Sequence, residues 1–198
     1  MVLAAGQSRR MGTSKQLLAY RGSTFIETVL QAVLDSSVDG LIVVANQDVG
    51  DYLRDRLPDE NCSLVVNSEA DSPMIRSVQL GVETATAEHG ADVADGIMIL
   101  LADQPQVSAG VISTCAETFR LPARPPGILI ATYRGRRGHP AIFRMDVLKE
   151  VRDWGADRRL NELAAEHPAE VRELAITTAP MPLDVNTPED YERMRNSR

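Results

Sequence analysis

Three basic residues stand close together near the start of the chain. Arg9, Arg10 and Lys15 fall within seven residues, whereas the 198-residue chain as a whole carries a net charge of −7. An acidic protein that binds an anion must concentrate positive charge locally, because arginine and lysine pair with phosphate oxygens at short range. The cluster therefore indicates a site for a ligand with several negative charges, such as a triphosphate.

The residues around these cations are small enough for the backbone to approach a ligand closely. Ala4, Ala5 and Gly6 lack bulky side chains, and Gly6 and Gly12 can adopt positive φ angles that turn backbone N–H groups inward. Such a loop can enclose phosphate groups. Glycine spacing alone leaves an alternative open, which is a tight strand-to-helix turn whose basic side chains are merely solvated.

Two common phosphate-binding motifs are absent from this loop. A dinucleotide-binding fingerprint requires glycine two residues after Gly6, where Ser8 stands. A P-loop requires Gly-Lys-Ser/Thr, whereas Gly12 is followed by Thr13. If this loop binds phosphate, it therefore does so by a different arrangement.

A carboxylate follows an apolar run in the middle of the chain. Residues 96–101 read GIMILL and lead directly into Ala102 and Asp103. Ligand sites in open α/β sheets collect at the carboxyl ends of strands, and Mg²⁺ accepts one or two carboxylates together with phosphate oxygens. Asp103 is therefore a candidate metal ligand. The alternative is an Asx-turn or helix-cap aspartate before a helix that starts near Ala109.

A second pair of oxygen-bearing side chains lies near the end of the chain. Asp184 and Asn186 are two residues apart, so in an extended segment both project to the same side. They are candidates to complete a metal shell with Asp103. An amide in place of a second carboxylate keeps an oxygen ligand but removes a charge, which makes the metal role of this pair weaker than that of Asp103.

Short runs rich in valine and isoleucine alternate with segments of helical periodicity. This order predicts a three-layer α/β/α sandwich with a mostly parallel sheet, of the Rossmann-like kind, formed by one domain over residues 1–198. Predicted strands are 2–4, 41–45, 64–66, 97–101 and 128–131, with weaker candidates at 141–143 and 171–174. Predicted helices are 24–34, 49–56, 74–87, 109–119, 157–165 and 188–194.

Two helix starts carry recognisable capping residues. Thr24 is followed three residues later by Glu27, and Thr187 is followed by Pro188 and Asp190. The proline-rich stretch 121–127 predicts a surface connection, since strand-like sequence resumes immediately after it.

Composition excludes several classes of function. The negative net charge gives no general attraction for nucleic acid or for an anionic membrane. The two cysteines, Cys62 and Cys115, fit neither a disulfide framework nor a zinc site, and no apolar run approaches the length of a membrane span. We expect a cytoplasmic protein with reduced thiols.

The opening motif resembles the signature of a known family. Residues 3–15 match the pattern Leu-Ala-Ala-Gly-x-Ser-x-Arg-Met-Gly-x-x-Lys, which is typical of the MobA-like nucleotidyltransferases and most similar to the molybdenum cofactor cytidylyltransferases. In that family the loop wraps a triphosphate, and its arginine and lysine bind the phosphates. The resemblance implies nucleotide-binding roles for Leu3, Ala4, Ala5, Gly6, Ser8, Arg10, Met11, Gly12 and Lys15, and catalytic roles for Arg10, Lys15 and Asp103.

The resemblance extends to the remaining candidates. Asp103 stands where the family has its metal-binding aspartate, and residues 183–191 resemble the segment Asp-Ile-Asp-Thr-Pro-Glu-Asp-Tyr, which implies Mg²⁺ as the cofactor. Ser77 and Gly81 keep register with a family segment that faces the base and sugar. Residues 135–143 resemble the acceptor-side segment, in which Arg136 and Arg137 either attract a phosphorylated acceptor or form a solvated hairpin tip.

The activity implied by the resemblance is transfer of a nucleotidyl group from a nucleoside triphosphate to a phosphorylated small molecule, with release of pyrophosphate. Ala4-Ala5 before Gly6 favours CTP over GTP at the level of the family, and molybdopterin is the implied acceptor, with a molybdoenzyme or cofactor-handling protein as a further partner. Three alternatives stay open: a sugar-phosphate or isoprenoid-precursor nucleotidyltransferase, a non-catalytic nucleotide-binding regulator, and, disfavoured by Ser8, a nicotinamide-dependent oxidoreductase.

Overall fold

The fold is built on one large sheet and a small hairpin. The computed structural model describes residues 1–7, 14–58, 60–69, 72–89, 96–179, 185 and 187–196. The strands of the described residues are β1 Val2–Ala4, β2 Ala19–Tyr20, β3 Ser23–Thr24, β4 Leu41–Ala45, β5 Cys62–Val66, β6 Gly96–Leu101, β7 Ile128–Tyr133, β8 Arg136–Arg144 and β9 Val171–Ala175. All seven strands predicted from the sequence are present, although several are longer than expected.

The large sheet is mostly parallel, as predicted. Within the described part of the chain its strand order is β5-β4-β1-β6-β8-β7-β9, and β2 pairs with β3 separately. Only β8 runs against its neighbours, pairing antiparallel with both β6 and β7. The carboxyl ends of β5, β4, β1, β6, β7 and β9 therefore meet at one edge of the sheet, which is where ligand sites of such sheets form.

The helices follow the predicted order with shifted boundaries. Those of the described residues are α1 Phe25–Leu34, α2 Gln47–Leu53, α3 Met74–His89, α4 Ala109–Arg120, α5 Met145–Leu148, α6 Asn161–Glu166 and α7 Pro188–Asn196. The helix predicted over 157–165 begins only at Asn161, and the helix predicted from Val49 begins two residues earlier. The early start arises because the Asn46 side chain accepts a hydrogen bond from the Val49 N–H and caps the helix.

Side chains that alternate along the central strands pack into two separate cores. Val2 and Val43 belong to a cluster with α1, α2 and α4, whereas Leu3 and Val44 belong to a cluster with α3, α5 and α6. Because neighbouring residues of a strand point to opposite faces, one sheet buries both clusters. This arrangement confirms the predicted three-layer α/β/α sandwich.

Both predicted capping residues are in place. Thr24 and Glu27 form a complete capping box at the start of α1. At the start of α7, the Asp190 N–H donates to Thr187 Oγ1 at 3.2 Å and the Thr187 N–H donates to Asp190 Oδ2 at 3.0 Å. No helix of the described residues is long and apolar enough to cross a membrane.

The stability of α1 is expected to depend on acidic pH through Glu27. Hydrogen bonds from Ser23 and Tyr52 lower the pKa of this carboxyl from its ordinary 4.5 to about 2. Since the folded state lowers the pKa, the stabilisation is complete above pH 4.5 and disappears as the pH falls towards 2. Glu27→Gln should therefore reduce the free energy of unfolding by about 1–2 kcal/mol at pH 7.

Urea unfolding of wild type and Glu27→Gln at pH 7 and pH 3 measures this effect. The difference between the two proteins should shrink at the lower pH. Glu117→Gln, which changes an exposed glutamate of α4, serves as the matched control and should leave stability nearly unchanged. A Glu27→Gln difference that is the same at both pH values would contradict the assignment.

Candidate functional site

A cavity of about 230 Å³ opens where the carboxyl ends of β1 and β6 lie side by side. Leu3 and Leu101 are paired partners on these strands and form part of its floor. Its other lining residues are Ala5, Gly6, Gln7, Lys15, Gln16, Ser72, Met74, Ser77 and Asp103. The cavity therefore gathers residues from four separate stretches of the chain at the sheet edge predicted from the sequence.

Lys15 and Asp103 form an ion pair at this cavity. Lys15 Nζ contacts Asp103 Oδ2, and the two side chains are only 16% and 14% exposed. Lys15 Nζ also donates a hydrogen bond to the Val185 carbonyl at 3.3 Å, although the two residues are 170 positions apart. Among the described lining residues these are the single cation and the single anion, so the charge of the cavity is concentrated at one point.

Lys15 is held in place by a short 3₁₀ helix. This helix spans Lys15–Leu17, and the Leu18 N–H donates to the Lys15 carbonyl at 3.1 Å. The neighbouring Gln16 is buried, with 2% of its surface exposed. Both residues line the cavity, and the burial of Gln16 together with the contacts of Lys15 to Asp103 and Val185 holds this turn against it.

The carbonyl of Gly6 is fixed by two side-chain amides that the sequence analysis did not identify. Gln16 Nε2 donates to it at 2.9 Å and Asn46 Nδ2 donates to it at 3.2 Å. The signal for Asn46 was its position directly after β4, at the same sheet edge as Asp103. The positive φ considered for Gly6 is not adopted, since among the described glycines only Gly22 and Gly135 have positive φ.

Ser77 and Gly81 take different positions on α3. Ser77 is buried and lines the cavity. Gly81, one helical turn further on, packs against Met1 of the core that α3 covers, where a Cβ atom would lie 2.2 Å from Met1 Cε, so a larger residue would force Met1 to shift. Ala4 is likewise fully buried in the core and does not line the cavity.

Several predicted site residues lie outside the described residues. They are Ser8, Arg10, Met11, Gly12, Asp184 and Asn186. Of the predicted set, the structure brings together Leu3, Ala5, Gly6, Lys15, Ser77 and Asp103.

The described residues that could hold a metal are few. Among them no group of three or more histidine, cysteine, aspartate or glutamate side chains is close enough to share an ion. Among the described residues that line the cavity, Asp103 is the only carboxylate. A single protein carboxylate is nevertheless enough to bind Mg²⁺, because this ion keeps several water ligands and takes phosphate oxygens of a bound substrate as its other ligands. Asp103 therefore fits a metal that arrives together with a polyphosphate.

The predicted acceptor-side segment forms the hairpin of β7 and β8. Arg137 pairs with Glu173 of β9 at 2.7 Å, while Arg136 is exposed at the tip. His139 Nδ1 lies 3.2 Å from the Ile99 carbonyl of β6, and the His139 carbonyl accepts a hydrogen bond from the Tyr133 hydroxyl. Arg137 and His139 thus contact other groups of the sheet. The exposed Arg136 fits both interpretations given above, attraction of a phosphorylated acceptor and a solvated hairpin tip.

Comparison with protein families identifies the chain. Residues 1–171 match the model of the MobA-like NTP transferase domain. The chain belongs to this family. The range matched in this MobA-like nucleotidyltransferase includes the opening loop, the Lys15–Asp103 pair and every described residue that lines the cavity.

Several named relatives show how the family varies. The MobA-like chain is 29% identical to the purine catabolism protein PucB of Bacillus subtilis, over 98% of this chain and 94% of that protein. It is 23% identical to the molybdenum cofactor cytidylyltransferase of Escherichia coli, over 96% and 92%. A probable molybdenum cofactor guanylyltransferase of Natranaerobius thermophilus is 30% identical, over 61% and 54%. The nicotine blue oxidoreductase of Paenarthrobacter nicotinovorans is 29% identical, over 72% and 69%.

Solved structures of similar proteins agree with the fold. Rv0371c of Mycobacterium tuberculosis is 30% identical and superposes with a TM-score of 0.81, covering 100% of this chain and 97% of that one. A structure of Rv0371c in complex with manganese gives a TM-score of 0.78 at 28% identity, with the same coverage of 100% and 97%.

The contact of Gln16 with the Gly6 carbonyl leads to a testable expectation. Gln16→Leu keeps the side chain nearly the same size but removes the hydrogen-bond donor. The Gly6 carbonyl then loses one of its two side-chain hydrogen bonds, which contributes about 1 kcal/mol to holding the loop in place. We expect the dissociation constant for nucleoside triphosphate to rise about 5-fold in calorimetric titrations. Gln47→Leu, at an exposed position of α2, should bind as the wild type does. Unchanged binding by Gln16→Leu would contradict this role.

Proposed function

We propose that this protein transfers a cytidylyl group from CTP to molybdopterin or the molybdenum cofactor and releases pyrophosphate. The observation that carries the proposal is the Lys15–Asp103 pair, placed in the cavity at the carboxyl ends of β1 and β6. A lysine and an aspartate at one point supply both kinds of contact that a metal-bound triphosphate requires. Lysine binds phosphate oxygens, and aspartate binds the metal.

The reaction balances without a protein nucleophile. A phosphate oxygen of the acceptor attacks the α-phosphorus of the nucleotide, and a new oxygen–phosphorus bond forms. The bond between the α-phosphorus and the oxygen that bridges to the β-phosphate breaks, and pyrophosphate leaves with that oxygen. Such chemistry depends mainly on positioning and on neutralising charge. Lys15, together with Arg10 of the same loop, is proposed to hold the phosphates in line.

The proposed cofactor is Mg²⁺, which when bound would neutralise phosphate charge and polarise the α-phosphate. Asp103 is proposed as the main protein ligand, with Asp184 and Asn186 as further ligands. Support for the pair comes from Val185, which lies between them in sequence and whose carbonyl contacts Lys15. The manganese complex named for Rv0371c supports a divalent metal in a similar protein.

The proposed phosphate loop comprises Gly6, Ser8, Arg10, Met11, Gly12 and Lys15. Support comes from its two described ends, since Gly6 and Lys15 both line the cavity. We also propose that residues 1–198 form one domain acting in the cytoplasm. The family match over 1–171 and the packing of Val185 and Met194 with Tyr20 and Phe25 in one buried cluster support a single domain.

The choice of CTP and of the acceptor rests on the sequence motif and on the named cytidylyltransferase. To test it, the protein is incubated with Mg²⁺, molybdopterin and each nucleoside triphosphate in turn, and pyrophosphate is measured. We expect release with CTP and molybdopterin together and little with either alone. Release with GTP instead, or with a sugar phosphate or isoprenoid precursor as the acceptor, would overturn the assignment.

A second candidate follows from one of the relatives. The nicotine blue oxidoreductase is as similar in identity as PucB, so a redox activity merits a direct test. The loop carries Ser8 where a dinucleotide fingerprint requires glycine. We therefore expect no saturable NADPH binding in a fluorescence titration, and saturable binding would favour the oxidoreductase.

A further inference from the structure

The carboxylate of Asp103 has a cationic partner within the protein itself. Lys15 Nζ contacts Asp103 Oδ2, and the two side chains are only 16% and 14% exposed. Because little water surrounds the pair, the attraction between the two charges is weakly screened. Any other cation that binds Asp103 must therefore displace this ammonium group or share the carboxylate with it.

The ammonium group of Lys15 is also held by a carbonyl whose position is fixed. Lys15 Nζ donates to the Val185 carbonyl at 3.3 Å, and the fully buried Val185 packs in one cluster with Phe25 and Met194. Phe25 belongs to α1 and Met194 to α7, so packing between these two helices sets the position of the carbonyl. Lys15 is therefore held beside Asp103 by more than the attraction of the two charges.

The backbone of Lys15 is fixed, whereas its side chain can move. The residue begins a 3₁₀ helix in which the Leu18 N–H donates to the Lys15 carbonyl at 3.1 Å, and the neighbouring Gln16 is buried. A lysine side chain is a flexible stem that ends in a compact charge. The ammonium group can thus pass from a carboxylate oxygen to a phosphate oxygen in the cavity without any change in the fold.

Free divalent metal and metal-bound polyphosphate act on this ion pair in opposite ways. A free Mg²⁺ or Mn²⁺ ion approaches Asp103 against the repulsion of the adjacent ammonium group, and Mg²⁺ in addition gives up its bound water reluctantly. A polyphosphate offers the ammonium group several anionic oxygens and supplies oxygen ligands to the metal. The pair therefore opposes binding of a free metal ion and favours binding of a metal–polyphosphate complex.

We propose that Lys15 is a specificity-determining residue that keeps free divalent metal away from Asp103, so that the site takes up metal together with a polyphosphate. Lys15 contacts Asp103 until phosphate oxygens replace the carboxylate as its partner, and Asp103 then becomes available as a metal ligand. Metal and polyphosphate raise each other's affinity by the same factor, since such coupling is reciprocal. This inference rests on the proposed binding of a metal-bound nucleoside triphosphate.

Binding of Mn²⁺ in the absence of nucleotide tests this inference, and electron paramagnetic resonance of the unbound ion measures it. Lys15→Met keeps a side chain of similar length but removes the charge, so it should bind free Mn²⁺ at least about 10-fold more tightly than wild type. The gain should disappear in Lys15→Met with Asp103→Asn, because residue 103 then no longer offers a carboxylate. Lys15→Arg keeps the positive charge and should bind free Mn²⁺ about as weakly as wild type.

The same variant should respond to nucleotide with the opposite sign. Lys15→Met lacks a proposed phosphate ligand, so it should bind α,β-methylene CTP with Mg²⁺ about 3-fold or more weakly than wild type in calorimetric titrations. A misfolded variant would instead lose both affinities, and its thermal unfolding would reveal the damage. Lys149→Met, which changes the other lysine of the chain directly after α5, is the matched control and should keep both wild-type affinities.

The outcomes separate this inference from the proposed function. A folded Lys15→Met variant that binds free Mn²⁺ no more tightly than wild type would overturn the inference, and so would a gain that persists after the loss of the Asp103 carboxylate. Either result leaves the proposed function standing, because that function is judged by pyrophosphate release from the wild type. Wild type that does not bind α,β-methylene CTP with Mg²⁺ would overturn the proposed function, whereas the comparison with free Mn²⁺ would still decide whether Lys15 keeps metal away from Asp103.

Discussion

Replacing Asp103 with alanine is expected to abolish pyrophosphate release and to leave the fold intact. The carboxylate is the only one lining the cavity among the described residues, so its loss removes the main protein ligand of the proposed metal. Removal of one preorganised electrostatic contact commonly lowers turnover by about 100- to 1,000-fold. We expect a loss of at least about 100-fold in a continuous pyrophosphate assay.

The fold should survive because Asp103 is not part of either core cluster. Thermal unfolding and circular dichroism check this point. Asp39→Ala is the matched control, since Asp39 pairs with Arg120 and precedes β4, at the opposite edge of the sheet from the cavity. That variant should retain full activity. Full activity of Asp103→Ala would overturn the proposed mechanism.

Replacing Lys15 with glutamine is expected to weaken both nucleotide binding and turnover. The variant removes the only cation among the described lining residues and leaves Asp103 without the ammonium group that it contacts. A hydrogen bond to a charged group contributes about 1.5–3 kcal/mol. We therefore expect kcat/KM for the nucleotide to fall by about 10- to 100-fold.

Initial-rate kinetics over a range of CTP concentrations measure this loss. Arg120→Gln, which breaks the exposed pair of Arg120 with Asp39, is the control and should behave as wild type. Lys15 and Asp103 are in contact, so their effects should not add. The double variant Lys15→Gln with Asp103→Ala should be little worse than Asp103→Ala alone. Strict additivity would show that the two residues act separately.

Much of the fold could be predicted because its signals are local. The runs 41–45 and 97–101 are apolar throughout since both of their faces are buried, and Thr24 with Glu27 marks the start of α1 by capping chemistry alone. The length and direction of β8 could not be predicted. Its first residues are polar and form an exposed hairpin arm, and its antiparallel pairing with β6 depends on contacts distant in sequence.

Candidate site residues could be proposed from the sequence where chemically active residue types form a local pattern. Asp103 was a candidate because it follows an apolar run, and Lys15 because it belongs to the basic cluster near the start of the chain; the structure places the two in contact. Gln16 and Asn46 were missed because each donates to the Gly6 carbonyl, which only the folded chain brings within reach. The close packing of Gly81 against Met1 likewise could not be predicted, since the two residues are 80 positions apart in the sequence.

The most direct test of nucleotidyl transfer follows the phosphorus atoms themselves. The protein is incubated with Mg²⁺, molybdopterin and CTP labelled either at the α- or at the γ-phosphorus, and the products are separated by chromatography. Transfer of a cytidylyl group predicts that the α-label appears in the acceptor product and the γ-label in pyrophosphate. Appearance of the γ-label in the acceptor, or of no label in either product, would contradict the proposed function.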